Sequence, residues 1–80
     1  MKRVHILVHN ATFLDNQIEY TTILGAYSSA EKVNRAYKEV IEDYKAKKTF
    51  VRGYEELSGC YRLECKKSIH YFNIEVKELQ

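Results

Sequence analysis

The chain changes its hydrophobic period once, across Gly25-Ala26-Tyr27-Ser28-Ser29-Ala30-Glu31-Lys32, where a β-rich N-terminal stretch gives way to one long helical pattern. Ser28 is spaced to cap that helix through its hydroxyl, and Glu31, three residues on, to reach back to the free cap amide, as in a capping box. A single strong helix start in 80 residues limits the fold to one helix set against strands.

Residues 3–9, Arg-Val-His-Ile-Leu-Val-His, place Val4, Ile6 and Val8 on one side and His5, Leu7 and His9 on the other, which predicts a strand. Asn10 to Gln17 reads as a polar connection turning at Asp15-Asn16, and Ile18 to Tyr27 as a second strand, so the two pair as a hairpin with a long loop. From Ser29 to about Lys47, the residues Val33, Ala36, Tyr37, Val40, Ile41 and Tyr44 recur at helical spacing and form one apolar stripe to pack on the sheet. The other helix face carries a mixed, solvated set in which Arg35 and Glu39 lie one turn apart.

Residues 49–59 read as a loop, because Gly53 and Gly59 bracket an acidic, irregular piece, although Thr49 to Arg52 has strand character. Cys60 to Lys66 and Ile69 to Leu79 then alternate as a second hairpin turning at Lys67-Ser68, with Phe72, Ile74 and Val76 sharing one face. The order β-β-α-β-β predicts a single α+β domain over residues 1–80: an antiparallel sheet of about four strands with one amphipathic helix across one face.

Thirteen basic and eleven acidic residues are interspersed and leave a net charge of +2, well short of the polarised surface of a dedicated DNA binder. The apolar run after Lys2 and Arg3 extends only from Val4 to Val8 and contains His5, too short and too polar for a secretion signal or a membrane span. With two cysteines in the chain, the expected setting is a reducing cytoplasm with free thiols. Cys60 and Cys65, five apart along one strand, point to opposite faces and do not bridge. A core this small seldom supplies more than ~3–5 kcal/mol, which makes a homodimer an expected form.

The run Ile23-Leu24-Gly25-Ala26-Tyr27-Ser28-Ser29-Ala30-Glu31-Lys32-Val33, with Phe72-x-Ile74 and Glu78-Leu79 near the C-terminus, resembles a group of small bacterial and phage domains. Those domains carry an apolar-Gly-x-Tyr-Ser-Ser stretch before an Ala-rich helix and end in an aromatic-x-Ile strand followed by a Glu-Leu pair. The likeness covers residues 4–46 and 71–79, and the segment from Phe50 to His70 departs from the shorter pattern. It brings no activity; what it implies is a phage-encoded cytoplasmic domain that acts on a host or defence protein.

Phosphate loops, zinc-type ligand spacing and nucleophile elbows do not occur in the sequence, so no catalytic residue, metal or cofactor is expected. His5 and His9 share a strand face but stand about 13 Å apart by strand rise, and a metal site would need His70 or a cysteine to approach one of them. A basic run, Lys45, Lys47, Lys48 and Arg52, with Phe50 among them and Tyr44 and Tyr54 near, fits phosphate gripping with ring stacking, the pattern of a nucleic-acid-binding accessory protein.

Seven tyrosines and no tryptophan exceed what a thin core can absorb, and surface tyrosines suit protein recognition. The expected interface is His5, Leu7, Ile23, Tyr27, Ile69 and Tyr71, on the sheet face away from the helix; an exposed edge strand offers a second route. The leading expectation is a non-catalytic protein-binding module that occludes a host or defence protein. The rivals are the nucleic-acid accessory protein and an oligomer that sequesters a small anionic ligand.

Overall fold

The computed structural model describes residues 2–79. Its elements run β1 (Lys2–Phe13), β2 (Ile18–Tyr27), α1 (Ala30–Lys45), β3 (Phe50–Glu55), β4 (Tyr61–Cys65) and β5 (Ser68–Leu79). The strands make one antiparallel five-stranded sheet in the order β2-β1-β5-β4-β3, with α1 laid on one face. The α+β class is as expected, but the sheet has a fifth strand and the order is β-β-α-β-β-β.

The extra strand is β3, which occupies part of the segment read as a loop. Gly53 looked like a breaker in one dimension. In the sheet it is the position over which the Tyr61 ring lies: a Cβ there would fall 2.6 Å from the Tyr61 hydroxyl oxygen, so the missing side chain makes room for a neighbour rather than ending a strand. Phe50 and Arg52 flank a register shift at Val51, and the remaining residues pair with β4 through Glu55 and Tyr61.

β1 also runs four residues further than its apolar alternation does. It lies between β2 and β5 and pairs with both as far as Phe13, so the ladders on either side hold Asn10 and Ala11 extended despite their weak strand character. The hairpin loop shrinks to Leu14–Gln17, where the Asn16 side-chain oxygen accepts the Ile18 amide at 3.1 Å and Gln17 takes a left-handed φ of 56°.

The helix begins one residue later than its spacing suggested. Ser29 is the cap, and its hydroxyl accepts the Lys32 amide at 3.2 Å. Glu31 does not close a capping box; it pairs forward with Arg35 at 3.3 Å, in place of the Arg35–Glu39 pair. The apolar stripe buries Val33 and Ile41 fully and Tyr37, Val40 and Tyr44 in part.

Leu7, Ala11, Tyr61, Leu63, Cys65 and Phe72 complete the core beneath α1. Phe72 and Leu63 have no exposed surface and form its centre. The sheet outruns its cover: twelve-residue strands span about 40 Å and a sixteen-residue helix about 24 Å. The molecule is accordingly long and narrow, 43 × 23 × 22 Å.

Candidate interaction surface

Under the C-terminal half of α1 the sheet carries a polar chain. Alternation puts His9 of β1 and His70 of β5 on the same face as Leu7 and Phe72, and the β1–β5 register brings them side by side. His9 Nε2 lies 2.8 Å from His70 Nδ1, and His70 Nε2 lies 2.8 Å from the Ser68 hydroxyl. His9 stacks on Phe72 at 4.6 Å between centroids, and Tyr44 closes over both histidines.

Burial, then the neighbouring His9 and the Lys47 ammonium, push the His70 imidazole down to about 4. Burial and Lys47 lower His9 as well. Both rings are therefore neutral at pH 7, and either of two concerted proton orders satisfies both contacts. Hydroxyl, imidazole and second acceptor are connected as in a nucleophilic relay. Yet Ser68 is 9% exposed and His70 5%, and none of the surface depressions described below is lined by either. The chain links β5 to β1 within the sheet, and α1 covers it through the Tyr44 ring.

The approach of His70 to His9 meets the condition the sequence set for a metal site, but no group of three or more His, Cys, Asp or Glu side chains fit to hold a metal occurs among the described residues. His5 lies four residues from His9 along β1 and faces Tyr27 across β1–β2. Cys60 and Cys65 are free thiols, the second buried.

The expected interface set divides between the two faces. Leu7 is 2% exposed and belongs to the core under α1, a correction to its placement on the open face. His5 shares that side by alternation, and Tyr27 shares it too, lining a depression with the helix residues Lys32, Arg35 and Glu39. Ile23, Ile69 and Tyr71 do lie on the open face, where Ile23 pairs with Val8, Ile69 with Thr12 and Tyr71 with Asn10.

Around Tyr71 that face is polar. Arg62 donates to the Tyr71 hydroxyl and to Glu64, and Arg52 donates to the same Glu64 oxygen at 3.1 Å. Hydrogen bonds from the two guanidinium groups hold the Glu64 carboxyl below the usual carboxylate range.

The two sheet edges differ. β3 is only six residues long and carries Arg52 and Glu55, devices that discourage strand addition. β2 is ten residues long, Ile-Glu-Tyr-Thr-Thr-Ile-Leu-Gly-Ala-Tyr, with Glu19 its one charge and neither lysine nor proline. Ile18, Tyr20, Ile23 and Leu24 are exposed by 41%, 53%, 66% and 40%. Tyr20 meets Phe13 edge to face, so the apolar strip continues onto the end of β1. A single irregularity at Leu24 interrupts the ladder to β1.

The basic run is largely engaged. Lys45 lies 3.8 Å from Glu42 and over the Tyr61 ring, Lys47 lies over the Tyr44 ring at 4.2 Å, and Arg52 is held by Glu64. Lys48 is exposed. A depression of about 370 Å³ beside α1 has Glu55 and a buried, unpartnered Asn73 Oδ1 at its wall, acceptors that repel an anion. At the other end of the sheet Lys2, Arg3 and Ser28 border a second hollow, where Arg3 sits 3.6 Å from Glu78.

The β2 edge could have been ranked above the open face from sequence: residues 18–27 are the longest strand-like run with a single charge. Its position at the edge could not, because that depends on which strand pairs with β1 on its other side. No helix of the described residues is long and apolar enough to cross a membrane. No family model, no curated protein and no solved structure matches the chain.

Proposed function

We propose that this chain is a non-catalytic protein-binding module that takes its partner as an added strand along β2. The observation that carries the reading is the contrast between the edges: β3 has six residues and carries Arg52 and Glu55, whereas β2, with Glu19 as its one charge, offers ten residues of outer edge flanked by four exposed apolar side chains. Main-chain hydrogen bonds give such a contact its affinity, and side chains on alternate faces give it selectivity. Ile23, Ile69 and Tyr71 on the open face extend the contact beyond the edge.

The rival readings have less support. Lys45 and Arg52 already face carboxylates, which weakens the grip a phosphate backbone would require. The hollow between α1 and the β3–β4 turn has the Glu55 carboxylate and the unpartnered Asn73 oxygen in its wall, which disfavour an anion there. The idea of an inhibitor aimed at a host or defence protein has only the resemblance behind it, and the surface names no such target.

The test is a library of displayed extended peptides selected against the folded protein. Selected peptides bind the parent chain, lose binding to Tyr20→Lys and Ile23→Lys, and keep it with Tyr54→Lys and with charge reversal at Lys47, Lys48 and Arg52. Peptides whose binding survives both β2 changes, or nucleic acid retained at high salt, would overturn the reading.

A further inference from the structure

Taking β2 as the interaction edge, we infer that its partner is a second copy of this chain, paired β2 to β2 in antiparallel fashion about a twofold axis normal to the sheet. The two five-stranded sheets then join into one continuous sheet with both helices on the same side.

Surface area gives the first argument. The chain exposes 5883 Å². A compact monomer of 9.5 kDa exposes about 5,000 Å² by the scaling that monomeric proteins follow. The excess, about 900 Å², is close to the ~800 Å² that each partner buries in an interface of standard size.

The edge is also self-complementary. Antiparallel pairing about a central twofold sets the first half of β2 against the second half of its copy. Glu19, the only charge, then lies opposite the uncharged stretch Ile23–Tyr27, and no like charges meet. With the axis beside Ile23, the two Ile23 side chains meet on the open face, while Ile18 and Tyr20, on the helix side, lie toward the Gly25–Tyr27 end of the copy, where Phe13 beside Tyr20 widens the contact.

Closure is the third point. An isologous contact uses one edge of each copy and leaves β3 as the outer edge at both ends. That edge is only six residues long and carries Arg52 and Glu55, so the assembly stops at two.

Sedimentation velocity over a micromolar-to-millimolar concentration series tests this. The mass should rise with concentration toward about 19 kDa, twice the single chain, and level off there. Ile23→Lys, which brings two ammonium groups together across the twofold axis, should weaken association at least about tenfold while the circular dichroism spectrum is unchanged. Val51→Lys on the other edge should leave association as it is. If Ile23→Lys does not fold, a synthetic peptide of residues 18–27 decides on the parent protein, because it should compete the dimer apart.

A mass that stays near 9.5 kDa throughout overturns the self-pairing, as does a dimer that resists both Ile23→Lys and the peptide. The two readings remain separable. A monomer that still captures displayed strands at β2 loses the second copy as its partner and keeps the binding edge, whereas a monomer that captures none loses both.

Discussion

Lowering the pH from 7 to 5 should weaken this fold through His70 before any carboxylate titrates. The imidazole is held at about 4 in the folded chain by burial, His9 and Lys47, against 6.5 when free. The unfolded chain therefore takes up a proton as the pH falls through 6.5, while the folded chain resists it to about 4. Stability is full above 6.5 and is lost on the way down, at a rate set by the difference in bound protons. Integrating those two values from pH 7 to 5 gives a loss of about 2 kcal/mol. His9, lowered by burial and Lys47, adds loss of the same sign.

A domain of this size holds about 4–12 kcal/mol in total stability, since folded chains have ~0.05–0.15 kcal/mol per residue. With a urea dependence of roughly 1 kcal/mol per molar, the unfolding midpoint should fall by about 2 M between pH 7 and 5. The assay is urea unfolding followed by tyrosine fluorescence at both pH values, for the parent and for His70→Gln. The variant should be less stable at pH 7, because it disturbs the chain from Ser68 to His9, but its midpoint should depend far less on pH. A parent midpoint that does not move, or a variant that keeps the full slope, would refute the buried-imidazole reasoning.

Capping discriminates between two adjacent serines: Ser29→Ala should cost about 1 kcal/mol in urea unfolding and Ser28→Ala only a few tenths, because Ser29 holds the Lys32 amide. Gly53→Ala should destabilise by about 1–3 kcal/mol, read in the same way, since the new methyl must displace the Tyr61 ring. Ile41→Asp should abolish the cooperative thermal transition, because it puts an unpaired carboxylate at a core position that is 5% exposed.

The helix stripe and the alternation of β1 and β5 were readable because each repeats one period over many residues: Val33, Ile41 and Tyr44 share a face by spacing alone. β3 was hidden by Gly53, whose meaning depends on a ring from another strand. The inward face of β1 was also hidden. Both of its sides carry aliphatic residues, and the side with His5 and His9 looked like the outer one. What turns it inward is contact with Phe72 and Tyr44, more than thirty residues away in sequence. The same distance concealed the link from Ser68 through His70 to His9, although Ser68 and His70 lie two apart on one strand. Ile69 and Tyr71 fall on the open face by simple alternation with Ser68, His70 and Phe72 along β5, and Ile23 falls there by its pairing with Val8.

Amide hydrogen exchange, followed segment by segment at micromolar and at near-millimolar protein, tests most directly whether β2 is the edge through which the chain binds its own copy. Protection should rise with concentration across residues 18–27 and stay constant across residues 50–55 on the opposite edge. Exchange in β2 that is fast and independent of concentration, or protection that grows at β3 instead, would contradict the account.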